Sequence, residues 1–244
     1  MNSAARQGFE RAMRCSLFGK LPVKRDFIAV FAPRNLLDAW EPWMQGGISA
    51  SREMLKENWQ QAYLRAPIWR FWLGSEICGA TVLGALMSSL DGVGRYYPLT
   101  VFAVADKEAP IPPPDIDAQD AWFAQTEEFL LSTLDRNLPY DAITAALDRF
   151  TPPASESIHS TGDMLPFIKS GTVAAPAGDL SFSALCSLLR TVNHGSVYAA
   201  ASFWWTLGGG DYKPAGLSCR GLPDPFLYTD MLTGRFEPGS EPNN

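Results

Sequence analysis

The chain has 244 residues, 46% of them hydrophobic and 19% charged, with a formal net charge of −6. A chain of this mass buries roughly 70% of its unfolded surface, and this balance excludes wholesale disorder. The densest basic patch is only Lys20, Lys24 and Arg25, too sparse to track phosphates, so no nucleic acid is expected as a partner.

The first residues carry Arg6, Glu10, Arg11 and Arg14 without an apolar stretch, which does not read as a signal peptide. The longest weakly polar run, 77–90, holds glycines and serines and is too short to span a bilayer. A cytoplasmic protein with no direct membrane insertion is expected. Cys15, Cys78, Cys186 and Cys219 show no zinc or redox spacing. They read as four buried thiols, with two disulfides left open by the even count. No metal or cofactor is expected.

In chain order, Cys15–Phe18 reads as a strand running into a loop at Gly19-Lys20-Leu21-Pro22. Proline is tolerated in a first helical turn but not deeper, so Pro42 predicts a helix from about Glu41 to Leu55, with Leu36–Trp40 as a separate turn or short helix. Gly46-Gly47 either weakens that helix or admits a close neighbour. Trp59–Tyr63 suggests a further short helix. Pro67–Leu73 then reads as a strand with Arg70 on an otherwise apolar surface. Residues 81–90 and 98–105 follow as strands around the turn Asp91-Gly92-Val93-Gly94, which predicts an antiparallel meander. Residues 106–117, charged and proline-rich, read as a loop whose Asp117 caps the next helix. In that helix Trp122, Phe129, Leu130 and Leu134 share a face, with Glu127 and Glu128 towards solvent. A second short helix is expected at 141–150.

Residues 151–180 have no sustained period and read as an irregular insertion. Ser181 caps a helix carrying Leu185, Leu188, Leu189 and Val192, stopped by Asn193-His194-Gly195. A strongly apolar strand is expected at 196–206, a last one at 215–220, and a loose tail at 236–244.

The candidate chemistry is sparse. Asp91 and Arg95 bracket the DGVGR turn, as a recognition or catalytic ion pair or as an Asx turn with Arg95 stacked on Tyr96 or Tyr97. Lys20, Lys24, Arg25 and Asp26 sit in the opening loop. His159 and His194 have no ligand partner at metal spacing, and no G-x-S-x-G elbow is present. Trp204 and Trp205 are adjacent on a strand and point to opposite faces. If helices cover both faces both are core; if one face is open, one indole is a binding anchor.

GKLPVKRDF (Gly19–Phe27), APIWRFWL (Ala66–Leu73), LDGVGRYYPLT (Leu90–Thr100), SFWWTLGG (Ser202–Gly209) and GLPDPFLYTDML (Gly221–Leu232) occur in this order. In order and spacing they resemble the type VI secretion system-associated TagF family. Two positions depart from it: Arg25 replaces a usual glycine, and Ser88 a common proline. The resemblance implies one TagF-like domain over 1–244, an α/β (α+β) sandwich with a mostly antiparallel, longin-like central sheet and helices packed on it. It implies a non-catalytic accessory protein, a post-translational repressor of assembly that binds a forkhead-associated scaffold protein. A functional link to a PPM-family phosphatase is expected in trans. Lys20, Lys24, Asp26, Asp91, Arg95, Trp204 and Trp205 are the candidate partner-binding residues. The alternative is a hydrolase or transferase whose site assembles from Asp26, Asp91, Arg95 and His194.

Overall fold

Among the described residues nine strands form: β1 (Cys15–Gly19), β2 (Ile28–Val30), β3 (Trp69–Leu73), β4 (Val82–Met87), β5 (Leu99–Val104), β6 (Phe167–Lys169), β7 (Thr172–Ala174), β8 (Ala201–Thr206) and β9 (Ala215–Arg220). They belong to a computed structural model that describes residues 13–106, 109–153, 167–169, 172–174, 179 and 181–236. Seven of them make one sheet in the order β2-β1-β5-β4-β3-β8-β9, and every neighbouring pair is antiparallel. The expected β3–β4–β5 meander is its centre. β6 and β7 pair separately, and the rest of the expected 151–180 insertion, His159 included, lies largely outside the described residues. So does the expected tail beyond Phe236.

Alternation along the strands divides the core into two layers. Trp69, Phe71, Val82, Leu86, Phe102 and Trp204 face one side. There they meet α1 (Arg34–Leu55), α2 (Trp59–Arg65), the one-turn α3 (Ser75–Cys78) and α8 (Leu227–Thr233). Leu17, Trp72, Leu83, Val101 and Ala103 face the other, under α4 (Asp120–Ser132) and α5 (Tyr140–Leu147). The architecture is an α+β sandwich.

Helix α1 corrects the first helix expectation. It runs unbroken through Pro42 for 22 residues. Pro42 removes one backbone donor, the one that would reach the Asp38 carbonyl. Both residues lie on the exposed side of the helix, where water serves that carbonyl. Leu36, Trp40, Trp43, Met44 and Ile48 hold the opposite stripe against the sheet, which outweighs the loss. Gly47 admits a neighbour: a Cβ there would stand 2.9 Å from Cβ of Tyr228 on α8.

Other expectations move. β2, three residues long, was too short to show a period. The apolar strand expected at 196–206 is β8 alone, because a short helix, α7 (His194–Val197), and a turn occupy its first half. Helix α6 (Phe182–Val192) is capped by Ser181 as expected, the Ala184 N–H donating to its Oγ at 3.2 Å. Asp117 does not cap α4; its carboxylate accepts from the backbone and side-chain N–H of Gln119. Glu127 does not face solvent: its Oε1 accepts from Arg70 Nε at 2.6 Å, and Arg70, 5% exposed, lies over the Phe123 ring. Leu134 is not core but 48% exposed. The proline-rich loop is anchored, since Trp72 Nε1 donates to the Ile111 carbonyl and the Ile111 N–H donates to Thr81 Oγ1. Of the cysteines only Cys15 and Cys78 are buried; Cys219 is half-buried, Cys186 is exposed, and all four are free. No helix among the described residues is long and apolar enough to cross a membrane.

Candidate functional site

The opening loop and the β4–β5 hairpin turn meet at one end of the sheet, and Asp91 joins them. Asp91 is completely buried. Its Oδ1 accepts from the backbone N–H of Val93 at 3.1 Å and of Arg95 at 2.9 Å. Its Oδ2 accepts from Arg95 Nε at 2.6 Å and lies 3.0 Å from Lys20 Nζ. The turn is closed by Asp91 N–H to the Arg95 carbonyl and Gly94 N–H to the Asp91 carbonyl. Burial works against the charge, but the donors of Arg95, Lys20 and Val93 outweigh it and hold the carboxyl well below the usual carboxylate range. Asp91 thus both heads an Asx turn and forms ion pairs with Arg95 and Lys20.

Three further bonds tie the two loops together. Gly92 N–H donates to the Lys24 carbonyl at 2.7 Å, Ser89 Oγ donates to the Lys20 carbonyl at 2.8 Å, and the Arg95 guanidinium donates to the Arg25 carbonyl. Gly19, where β1 ends, has φ +134°, and a Cβ there would stand 2.0 Å from the Pro98 carbonyl oxygen. Only glycine lets the opening loop leave β1 so close to β5.

Above this buried junction lies an exposed layer. Asp26, its side chain 96% exposed, stands 3.9 Å from Arg95. Lys24 Nζ lies 4.0 Å above the Tyr140 ring. Phe27, half in solvent, rests edge-on against Tyr97 and stacks on Phe18, with Lys20 Nζ over its ring. Val93 projects at the tip of the turn.

The other candidates lie elsewhere. Trp204 is 1% exposed and stacks among Trp40, Trp43 and Phe71. It is a core residue and offers no anchor to a partner. Trp205 is half-buried against Phe123 on the opposite face. His194 is buried in a cleft with Ser75 and Thr81, beside the start of β4. Asp91 follows the end of that strand, about 17–20 Å away at the usual rise per residue. Of the hydrolase constellation, Asp26, Asp91 and Arg95 are brought together, and His194 lies apart from them. Burial lowers the His194 pKa from its ordinary value, with Asp115 opposing it. Among the described residues no group of three or more His, Cys, Asp or Glu is placed to hold a metal ion.

Beside the hairpin opens a cleft of about 550 Å³, which shares Pro22 and Ser88–Leu90 with the two loops. Leu64, Leu131, Leu134 and Leu207 line it, each about half exposed or more. One signal for it stood in the sequence. Phe129-Leu130-Leu131 cannot all face one core at 3.6 residues per turn, so one of them must point outward.

The family model for the TagF N-terminal domain, type VI secretion system-associated, matches residues 16–150, more than half of the chain. A solved crystal structure, PA0076 from Pseudomonas aeruginosa PAO1, matches with a TM-score of 0.76 at 27% identity. That match covers 94% of this chain and 99% of the other. No curated protein matches. The matched segment contains both loops of the junction and β1–β5. The chain belongs to the family of type VI secretion system-associated proteins that carry the TagF N-terminal domain.

Proposed function

We propose that this protein is a cytoplasmic, non-catalytic repressor of type VI secretion assembly. It acts by binding the forkhead-associated scaffold protein of the same system, with any PPM-family phosphatase engaged in trans. Repression is a population shift: the repressor binds the unassembled scaffold better than the assembled one. The observation that carries this reading is the saturated junction under an exposed surface. Asp91 is ionised and holds four donors, so it has no lone pair or proton to offer a reaction. What it does is hold two loops rigid, and that presents Asp26, Phe27, Val93 and Arg95 in a fixed arrangement, as a binding surface requires.

The test is a calorimetric titration of the full chain against the scaffold protein. Wild type is compared with an Asp26→Arg, Val93→Asp variant whose far-UV circular dichroism and melting match it. Both side chains are exposed, so folding is preserved. Saturable binding by wild type and at least tenfold weaker binding by the variant, about 1.4 kcal/mol, is the expected result. No heat of binding at about 50 μM, where weak complexes still register, overturns the choice of partner.

A further inference from the structure

The leucine-lined cleft beside the junction has no part in the ion cluster, and its walls come from four places. Leu64 is near the end of α2, Leu131 near the end of α4, Leu134 just beyond it, and Leu207 follows β8. Four leucines exposed by 48–62% around one concavity form a contiguous apolar surface of the kind that marks an interaction site.

Apart from Arg136, most of the polar lining is already occupied. Ser89 binds the Lys20 carbonyl and the Tyr63 hydroxyl, Thr206 Oγ1 accepts from the Gly208 N–H, and Glu127 is held by Arg70. A small polar ligand would find no converging partners, whereas apolar side chains would find a seat.

The strands bordering the cleft restrict the occupant further. β4 is paired by β3 and β5, and β8 by β3 and β9. Neither offers a free backbone edge, so an incoming segment must satisfy its own amides, as a helix does and an added strand does not. Charge selects its sign. Arg136 lines the cleft, and exposed Arg65 lies in sequence between two lining residues, Leu64 and Ala66. Neither has an ion-pair partner among the described residues. The last carbonyls of α4 are taken by Ser132, Thr133 and Leu134 rather than by Arg136. Arg136, an uncompensated cation in the lining with Arg65 next to lining residues in sequence, complements an acidic partner even in a chain of net charge −6. A second copy would set one basic rim against another.

We infer that this cleft seats the leucine-type face of an acidic amphipathic helix from a partner protein. The inference rests on the binding-protein reading above and gives it a second contact surface.

The test uses the full chain and fluorescence anisotropy. The probe is a labelled designed peptide of roughly four helical turns, with leucines at i, i+3, i+4 and i+7 and glutamates elsewhere. A control peptide carries lysines in place of the glutamates. Wild type is expected to bind the acidic peptide at least about tenfold tighter than the basic one. Leu131→Asp with Leu134→Asp is expected to lose about tenfold or more, as when a buried anchor is removed. Arg136→Glu is expected to erase the preference for the acidic peptide. Both leucines are already exposed, so the double variant is checked only for an unchanged melt. Absence of acidic-peptide binding, equal affinity for both peptides, or binding that survives the leucine substitutions overturns the inference. Self-association of wild type that these substitutions abolish assigns the groove to a second copy and also overturns it. The same variant is then titrated with the scaffold. Peptide binding without scaffold binding sinks the choice of partner alone. Scaffold binding untouched by cleft substitutions and by excess peptide sinks the cleft alone.

Discussion

Asp91 shows how one side chain joins two loops distant in sequence. Its partners come from both sides: Lys20 from the opening loop, Val93 and Arg95 from its own turn. Lys20 is itself 5% exposed, so replacing Asp91 by Asn leaves an ammonium buried without its counter-ion. Breaking a buried pair in this way costs about 3–5 kcal/mol, and urea unfolding of Asp91→Asn at neutral pH is expected to show a loss of that size. Arg95→Ala removes a side chain that is 57% exposed and leaves Asp91 with Lys20 and two backbone donors. Its expected cost is about 1 kcal/mol. Acid brings the two proteins closer in stability. The folded carboxyl titrates below its unfolded value of about 3.9, so its stabilisation is fully present above about pH 5. It is lost as the pH falls towards the depressed folded value. The stability gap between wild type and Asp91→Asn should therefore shrink below about pH 4. A gap that is constant from pH 7 to pH 3 would mean that folding leaves the proton affinity of the Asp91 carboxyl unchanged.

Helix α1 separates two effects that sequence alone confounds. Glycine inside a helix costs up to about 1 kcal/mol relative to alanine, so Gly46→Ala and Gly47→Ala look equally favourable on paper. A Cβ at Gly46 meets the Pro225 side chain at 3.4 Å, an ordinary contact. One at Gly47 meets Cβ and Cγ of Tyr228 at 2.9 and 3.0 Å, the base of a side chain that is 2% exposed and cannot swing away. Thermal unfolding is expected to show Gly46→Ala stabilised by about 0.5–1 kcal/mol and Gly47→Ala destabilised by about 1–3 kcal/mol through overpacking. Equal shifts would remove the α1–α8 contact as the reason for the glycine. The same contrast explains what was legible in the sequence. The β3–β4–β5 meander could be read because alternation and a glycine turn are local signals. The passage of α1 through Pro42 could not, because it depends on a sheet more than twenty residues away in sequence that holds the far stripe. Arg70 stood out as one charge on an apolar strand, but its partner Glu127 lies 57 residues on, and no periodicity reports such a meeting. The hairpin and opening loop were readable as motifs. Their junction through Asp91, and the burial of Trp204, appear only once β1, β5 and β8 take their places in the sheet.

At the scale of the whole molecule, the family match and the folding unit are different lengths of chain. Residues 16–150 supply β2, β1, β5, β4 and β3, and stop there. In the complete protein β3 is an interior strand whose outer side is paired by β8 from Arg70 to Leu73. Without β8 it becomes an edge of five consecutive buried residues, Trp69–Leu73, with none of the charges or bulges that protect natural edges outside Arg70. The α1 layer loses Trp204, Tyr228, Met231 and Leu232, worth about 1.5–3 kcal/mol each. Two indoles lose their acceptors as well: Trp43 Nε1 donates to the Pro223 carbonyl and Trp69 Nε1 to that of Met231. A buried donor left unpaired costs about 1–3 kcal/mol. These losses match the whole net stability of about 5–15 kcal/mol that domains possess. A fragment ending at Phe150 is therefore expected to show no cooperative thermal transition and to aggregate, while residues 13–236 melt in one step. Cooperative unfolding of the short fragment with native-like tryptophan emission would mean instead that β8, β9 and α8 are an addition to a core that is already complete. The proposed binding surface could then be studied on the matched segment alone. If the fragment fails as expected, every substitution at the junction must be judged in the full chain, because β3, the strand next to β4, is paired on its outer side from the other half of the molecule.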